Sequence, residues 1–364
     1  MTADFDATVI GAGVIGLAVA RELCLYGQNV LVLESAPRAG TETSARNSEV
    51  VHAGIYYPTG TLKARLSVEG RSLLYDYCSN HGVATRKLGK IIVACNPAEE
   101  AKLASIKSLA EANGVKDLER LSTSEVARLE PEISCTKAIL SPSTGIVDAG
   151  ALMLSLHAVA EARGVTFAFN TKFAGAQRRG DEFVIQAGGT EFTSTAILNC
   201  TGHGAHQAAT AVMGYDPRHL PPEFFARGSY CSVSGGTPFQ HLVYPVPVAG
   251  ALGIHATLDM AGAVRFGPNI QWIDRVDYSL PNDLPEVFQN SIAAYWPGVR
   301  TRELTPSYCG VRPKIHGPTE TFADFMIQTE AAHGIAKLTN LFGIEGPGLT
   351  AALAIGKAVM GGPF

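Results

Sequence analysis

The pattern Gly11-x-Gly13-x-x-Gly16 stands between the apolar run Asp6 to Ile10 and an amphipathic stretch from Val14 to about Tyr26, and it constrains this chain more than any other feature. Between a strand and a helix, the first glycine permits the tight turn. The second lets a pyrophosphate approach the backbone, and the third lets helix pack on strand. The helix N-terminus then offers free N–H groups and the positive end of its dipole to the phosphates. A second apolar run, Asn29 to Leu33, ends at Glu34, where a carboxylate accepts both ribose hydroxyls and repels a 2′-phosphate. The reading is a β-α-β unit that binds a dinucleotide through Gly11, Gly13, Val14, Ile15, Gly16, Glu34 and Ser35. The motif alone does not separate FAD from NAD.

A chain of 364 residues, 46% hydrophobic and 17% charged, can bury a large core and divide into two domains. Its net charge of -4, with 29 scattered basic residues, gives no footprint for nucleic acid or an acidic membrane surface, so a small molecule is the expected partner. Asp4 and Asp6, rather than Lys or Arg, precede the first apolar run, which argues against a secretory signal. No apolar stretch is long enough to span a bilayer, although peripheral membrane contact is compatible with this composition. The seven cysteines are odd in number, far apart and free of C-x-x-C pairs, so reduced thiols and a cytoplasmic location are expected. His203-x-x-His206 has no acidic or Cys ligand nearby, and no metal is expected.

Further along, helical periodicity covers Thr61 to Asn80, Pro97 to Asn113 and Ala149 to Arg163. Strand-like runs cover Lys90 to Ala94, Val165 to Phe169, Glu182 to Gln186 and Ala196 to Cys200, the last leading into a second glycine turn at Thr201-Gly202-His203-Gly204. From about Tyr215 to Tyr308 the segments alternate and are rich in aromatics and proline, as in Gly228 to Val233 and Val264 to Gly267, and read as antiparallel strands. A last helix is expected from near Gly348 to before Gly361. The architecture implied is a noncontiguous, Rossmann-like α/β dinucleotide-binding domain over 1–80, 145–214 and 315–364. A largely antiparallel α+β substrate domain over 81–144 and 215–314 covers its ligand.

Two segments carry a family resemblance: Ser44-Ala45-Arg46-Asn47-Ser48 through His52-Ala53-Gly54, and Gly343-Ile344-Glu345-Gly346-Pro347-Gly348-Leu349-Thr350. The chain resembles the FAD-dependent D-amino-acid-oxidase and glycine-oxidase superfamily, and within it looks most like the L-2-hydroxyglutarate dehydrogenase group. The closer likeness rests on Thr43 through Tyr57 and on Leu62-Lys63-Ala64-Arg65, Arg227-Gly228-Ser229-Tyr230 and Tyr244-Pro245-Val246-Pro247. It continues through Gly253-Ile254-His255, Phe266-Gly267-Pro268-Asn269 and Gly310-Val311-Arg312-Pro313-Lys314.

That resemblance implies FAD as cofactor and a fold of the glutathione-reductase and D-amino-acid-oxidase type. Ser44, Asn47 and Ser48, with Arg46, His52, Ala53 and Gly54 around them, would lie beside the flavin and its phosphates. The turn Glu345, Gly346, Pro347, Gly348, Leu349 and Thr350 would aim N–H groups at the pyrimidine edge of the ring, where negative charge gathers. Cys200, Thr201 and Gly202 match the superfamily's second adenosine-facing turn, with Phe173 or Ala174 offering backbone to adenine.

Arg312 matches the carboxylate-binding arginine at the flavin face, and Lys314, Tyr57, Tyr244 and Asn269 are further pocket candidates. His52 or His255 would take a proton as hydride leaves the substrate. Covalent flavin attachment would fall on His52 or Cys309, against a free buried thiol at Cys309. The implied reaction is oxidation of a small 2-hydroxy acid to the 2-oxo acid, with quinone, another carrier or oxygen open as electron acceptor. An amino-acid or N-methyl-amino-acid oxidase, a non-catalytic flavoprotein subunit and an NAD-linked dehydrogenase are the competing readings.

Overall fold

The computed structural model describes residues 3–236, 238–247 and 253–361. The domain expectations over 1–80, 215–314 and 315–364 therefore include positions 1–2, 237, 248–252 and 362–364, which lie outside the described residues.

Ala7 and Val9 of the strand Phe5–Ile10 belong to one apolar cluster, and Ile10 belongs to another. In the strand Val30–Leu33, Val30 and Val32 join the first cluster while Leu31 and Leu33 join the second. Side chains alternate across a strand, so apolar residues at every position demand cover on both faces, as in parallel sheets. The helices Val14–Leu25, Leu62–His81, Ala149–Ala162 and Gly348–Gly361 supply the first face.

Phe5–Ile10 pairs in parallel with Val30–Leu33 on one side and Thr190–Asn199 on the other, inside an eight-stranded sheet. Leu338–Phe342 adds in parallel to Thr190–Asn199, and antiparallel strands Phe173–Arg179 and Glu182–Ala187 extend one edge. The carboxyl ends of the central strands, Ile10, Leu33 and Asn199, feed the turns at Gly11–Gly13, Glu34 and Cys200–Gly204. In open α/β sheets that edge is where ligands bind.

A nine-stranded sheet draws on Lys90–Ala94, Glu119–Leu121, Lys137–Ser141 and six strands between Phe224 and Lys314. Ile91 and Val93 face a cluster with Phe288 and Trp296, whereas Ile92 and Ala94 face one with Ala53, Ile55, Leu103 and Ile106. The region expected to be antiparallel contains one exception, because Leu242–Pro245 runs parallel to Lys90–Ala94. The two strands come from distant chain segments, so no hairpin fixes their direction.

The same region holds a helix absent from the sequence reading, Leu284–Ile292, which buries Leu284, Phe288 and Ile292 on one face. The last helix continues through Gly361 rather than stopping before it. Among the described residues no helix is long and apolar enough to cross a membrane.

Candidate active site

Gly11 adopts φ +97°, a left-handed turn that glycine enters without a Cβ penalty, and a Cβ at Gly16 would collide with the Gly11 carbonyl. At Gly13, which caps the helix without a side chain, a Cβ would come 3.0 Å from Ser44 Oγ, itself the acceptor of the Val14 N–H at 3.0 Å. Glu34 is fixed from both sides: Oε2 accepts from the Ala12 N–H at 2.7 Å and Oε1 from the Ala36 N–H at 2.8 Å. Oε1 also accepts from the Ser35 hydroxyl at 3.3 Å, and Oε2 retains acceptor capacity for a ribose hydroxyl.

These residues line a cavity of about 500 Å³ that runs from Glu34, Ser35, Phe173 and Ala174 past Gly11, Gly13, Val14 and Ile15. Cys200, Thr201 and Gly202 form its flank, and Asn47, Ser48, His52 and the turn Glu345, Gly346, Pro347, Gly348 and Leu349 form its far end. Asn47 is rigid: its Nδ2 donates to the Ser44 carbonyl at 2.6 Å and its Oδ1 accepts from the Glu49 N–H at 2.7 Å.

A second cavity of about 560 Å³ opens from that far end, sharing Thr43, Asn47, Ser48, His52, Glu345 and Gly346 with the first. Its walls include Arg312, Lys314, Tyr57, Tyr244, Asn269 and His255, all named from sequence, together with Tyr56 and Lys63. Asn269 Oδ1 is engaged, accepting from the Ser229 N–H at 2.8 Å. The Tyr56 and Tyr244 hydroxyls are buried and have no partner among the described residues.

Charge is arranged unevenly around this second cavity. Glu345 Oε1 lies 3.1 Å from Lys63 Nζ and 2.8 Å from Lys314 Nζ, so one carboxylate serves two ammonium groups. Burial raises the Glu345 pKa, and Lys63, Lys314 and Arg312 together overcome that and bring it down to about 2. The Arg312 guanidinium makes no hydrogen bond or ion pair with any described residue, although its Nη2 lies where a Cβ on Gly228 would come within 3.1 Å.

The two imidazoles are kept neutral. Burial, and then the Lys90 charge, lower His52 to about 3. Burial lowers His255 as well, against the Gly253 carbonyl bond and with His52, Lys90 and Arg312 adding to the effect. His255 Nδ1 meets the Gly253 carbonyl at 3.1 Å. A carbonyl only accepts, so Nδ1 carries the proton and the neutral ring keeps a free lone pair on Nε2.

Other residues named from sequence take different places. Arg46 borders the second cavity, not the first; its Nη1 donates to the Cys309 carbonyl at 3.2 Å and its guanidinium lies 4.1 Å from the Tyr278 ring centroid. Arg312 likewise borders only the second. Gly16, Ala53, Gly54 and Thr350 line neither cavity; Ala53 is core, and Thr350 holds the His52 backbone through its hydroxyl. Cys309 is buried outside both linings, its Sγ 3.1 Å from the Tyr278 carbonyl. His203 and His206 face the separate carbonyls of Val311 and Pro221.

Sequence reasoning gave no chemical role to Lys63, Tyr56 or Lys90. Lys63 is 4% exposed on a helix face and Lys90 is 1% exposed at the head of an otherwise apolar strand. A lysine in phase with core positions was the available signal.

The family model described as FAD dependent oxidoreductase (DAO) matches residues 6–360. The mitochondrial L-2-hydroxyglutarate dehydrogenase of Arabidopsis thaliana is 41% identical over 397 residues, which cover 97% of this chain and 82% of that protein. A dithionite-reduced L-alpha-glycerophosphate oxidase from Mycoplasma pneumoniae with FAD bound superposes with a TM-score of 0.86 at 24% identity, over 98% of this chain and 94% of that one. Glycine oxidase from Geobacillus kaustophilus gives 0.82 at 18% identity, over 99% and 94%. These two structures share the fold, with its mixed, centrally parallel nucleotide-binding sheet and largely antiparallel second sheet. With a family model matching nearly end to end, the chain belongs to the FAD dependent oxidoreductase family.

Proposed function

We propose that this chain oxidises a 2-hydroxy dicarboxylic acid of the L-2-hydroxyglutarate type to the 2-oxo acid. The observation that carries this reading is the charge on the second cavity: Arg312 has no acid partner, and Lys63 and Lys314 share only Glu345. Arg312, Lys63 and Lys314 against one carboxylate leave two positive charges beside Glu345, and Arg46 and Lys102 add to them at the cavity's border, a setting that suits two substrate carboxylates. Buried cations without counter-charges are costly, so a dianion that supplies both gains more here than a monocarboxylate. The relative's name points to the same chemical class.

FAD fits the first cavity, where Glu34 would hold the ribose, Gly11 and Gly13 the pyrophosphate, and Asn47, Ser48 and the Gly346–Leu349 turn the ring. When bound, the cofactor supplies the acceptor for the hydride that leaves C2. Arg312 would orient the carboxylate beside C2 through its planar fork. Lys63 and Lys314 would hold the second carboxylate. The His52 and His255 pair provides the proton acceptor for the hydroxyl, and the free Tyr56 and Tyr244 hydroxyls offer hydrogen bonds to the reacting oxygen.

Anaerobic mixing of the yellow protein with a substrate panel tests this. L-2-hydroxyglutarate should bleach the flavin band fastest, ahead of its D-enantiomer, L-lactate, glycine, N-methylglycine and glycerol 3-phosphate. Faster bleaching by an amino acid, by the phosphate ester or by lactate would overturn the assignment.

A further inference from the structure

Lys90 is a buried cation that the reaction outlined above does not use. It opens the strand Lys90–Ala94, between Leu242 and Ser141 of the neighbouring strands, and shares a face with Ile92 and Ala94. Its ammonium lies 4.5 Å from the Tyr56 ring centroid and 4.7 Å from that of Tyr244. No carboxylate pairs with it among the described residues. The Tyr244 ring in turn stacks on His255, with centroids 3.7 Å apart and planes 17° from parallel. Two aromatic faces thus stand in for a counter-ion, an arrangement that holds a desolvated cation in place without neutralising it.

We propose that Lys90 is a positioning residue for the cavity's imidazoles: seated on Tyr56 and Tyr244, it fixes the Tyr244–His255 stack and its uncompensated charge repels protons from His255 and His52. A carboxylate at this place would have the opposite effect and turn the pair into proton donors at neutral pH. The groups facing the two rings are Lys90 from the strand Lys90–Ala94, Tyr244 from Leu242–Pro245 and Arg312 from Leu304–Lys314, with each imidazole facing the other. Lys90 is the cation felt by both histidines. Burial brings Lys90 itself down to about 7, so its influence is greatest on the acid side of neutrality, where protonation of the imidazoles would otherwise begin.

The inference rests on the reading of the histidines as proton acceptors, and its tests separate the two. Lys90→Met keeps the stem and removes the charge. In the FAD-loaded protein it should move the acidic limb of kcat/KM to higher pH by about one unit, lowering the ratio of kcat/KM on the acid side of that limb to that at pH 8 by about tenfold. Lys90→Arg should keep the wild-type ratio. Imidazole nitrogen NMR across the same range, with the His52 and His255 signals assigned from the Gln variants, reads the charge on the rings whether or not either is the base: in wild type both should remain neutral at pH 5, and in Lys90→Met they should begin to protonate at higher pH than in wild type. His52→Gln and His255→Gln, by removing the limb, report separately on the base. A ratio and ring spectrum unchanged in a folded Lys90→Met protein would overturn the role of Lys90. If Lys90→Met does not fold, a Lys90→Arg profile displaced like that of a neutral variant would do the same.

Discussion

The Thr350 hydroxyl accepts the His52 backbone N–H at 2.9 Å and donates to the Val50 carbonyl at 3.3 Å. One side chain of the helix Gly348–Gly361 thereby ties down the strand Val50–Val51 and one of the residues that the two cavities share. Thr350→Val keeps the shape and loses both bonds, leaving a buried N–H without a partner. The cost should be about 1–3 kcal/mol, with weaker flavin retention, and Thr350→Ser should recover most of it. Thermal unfolding and flavin content of the purified variants check this; an unchanged midpoint in Thr350→Val would show that the pair contributes nothing.

Gly13→Val should purify nearly colourless. Its side chain would crowd Ser44 Oγ, 3.0 Å from the first added carbon, and fill the space in which a pyrophosphate approaches the helix. Glu34→Ala should be paler than wild type but not colourless, since it removes ribose acceptors and the anchor of the Ala12 and Ala36 N–H groups. The ratio of flavin to protein absorbance measures both, and full occupancy in Gly13→Val would show that the dinucleotide lies elsewhere.

Arg312→Lys keeps the cation and loses the fork, so kcat/KM should fall by roughly tenfold to a hundredfold, about 1.5–3 kcal/mol, with flavin content normal. Replacing the substrate carboxylate beside C2 by an amide should hurt wild type and barely affect Arg312→Ala, because the two changes remove one interaction. An amide penalty that persists in Arg312→Ala would move the anchor to Lys314.

Glu345→Gln should destabilise the protein by about 3–5 kcal/mol, because Lys63 and Lys314 would remain buried with no carboxylate between them. In wild type the Glu345 carboxylate titrates near 2, below its ordinary value of 4.5. Its contribution to stability is thus complete above 4.5 and lost as pH falls from there toward 2. Denaturant titrations at pH 3 and pH 7 should show the gap between variant and wild type narrowing in acid.

Lys90→Met should be more stable than wild type at neutral pH. Lys90 titrates near 7 when folded against 10.5 as its ordinary value, so between those values the unfolded chain binds a proton that the folded one lacks. Wild-type stability therefore falls as pH drops from about 10.5 to 7 and the methionine variant is spared this, a difference on the order of a few kcal/mol. The advantage should fade toward pH 11 in denaturant titrations; an equal gap at both ends would assign it to packing.

The dinucleotide groove was legible because its parts are local. Gly11, Gly13 and Gly16 lie within one turn, Glu34 ends the next strand, and the short apolar run of Lys90–Ala94 marks a strand without reference to anything distant. Local periodicity also marked the helices Leu62–His81 and Ala149–Ala162, with ends within a few residues of their observed bounds. The sequence could not show that Leu242–Pro245 lies parallel to Lys90–Ala94, since strand direction across a long connection depends on how the sheets close. Nor could it show that Lys63, Lys314 and Glu345 meet, or that Lys90 rests on Tyr56 and Tyr244. Residue type and spacing determine which chemistry is available to a local segment. The balance of charge in a cavity depends on which buried faces converge there, and only tertiary packing brings those residues into the same desolvated space.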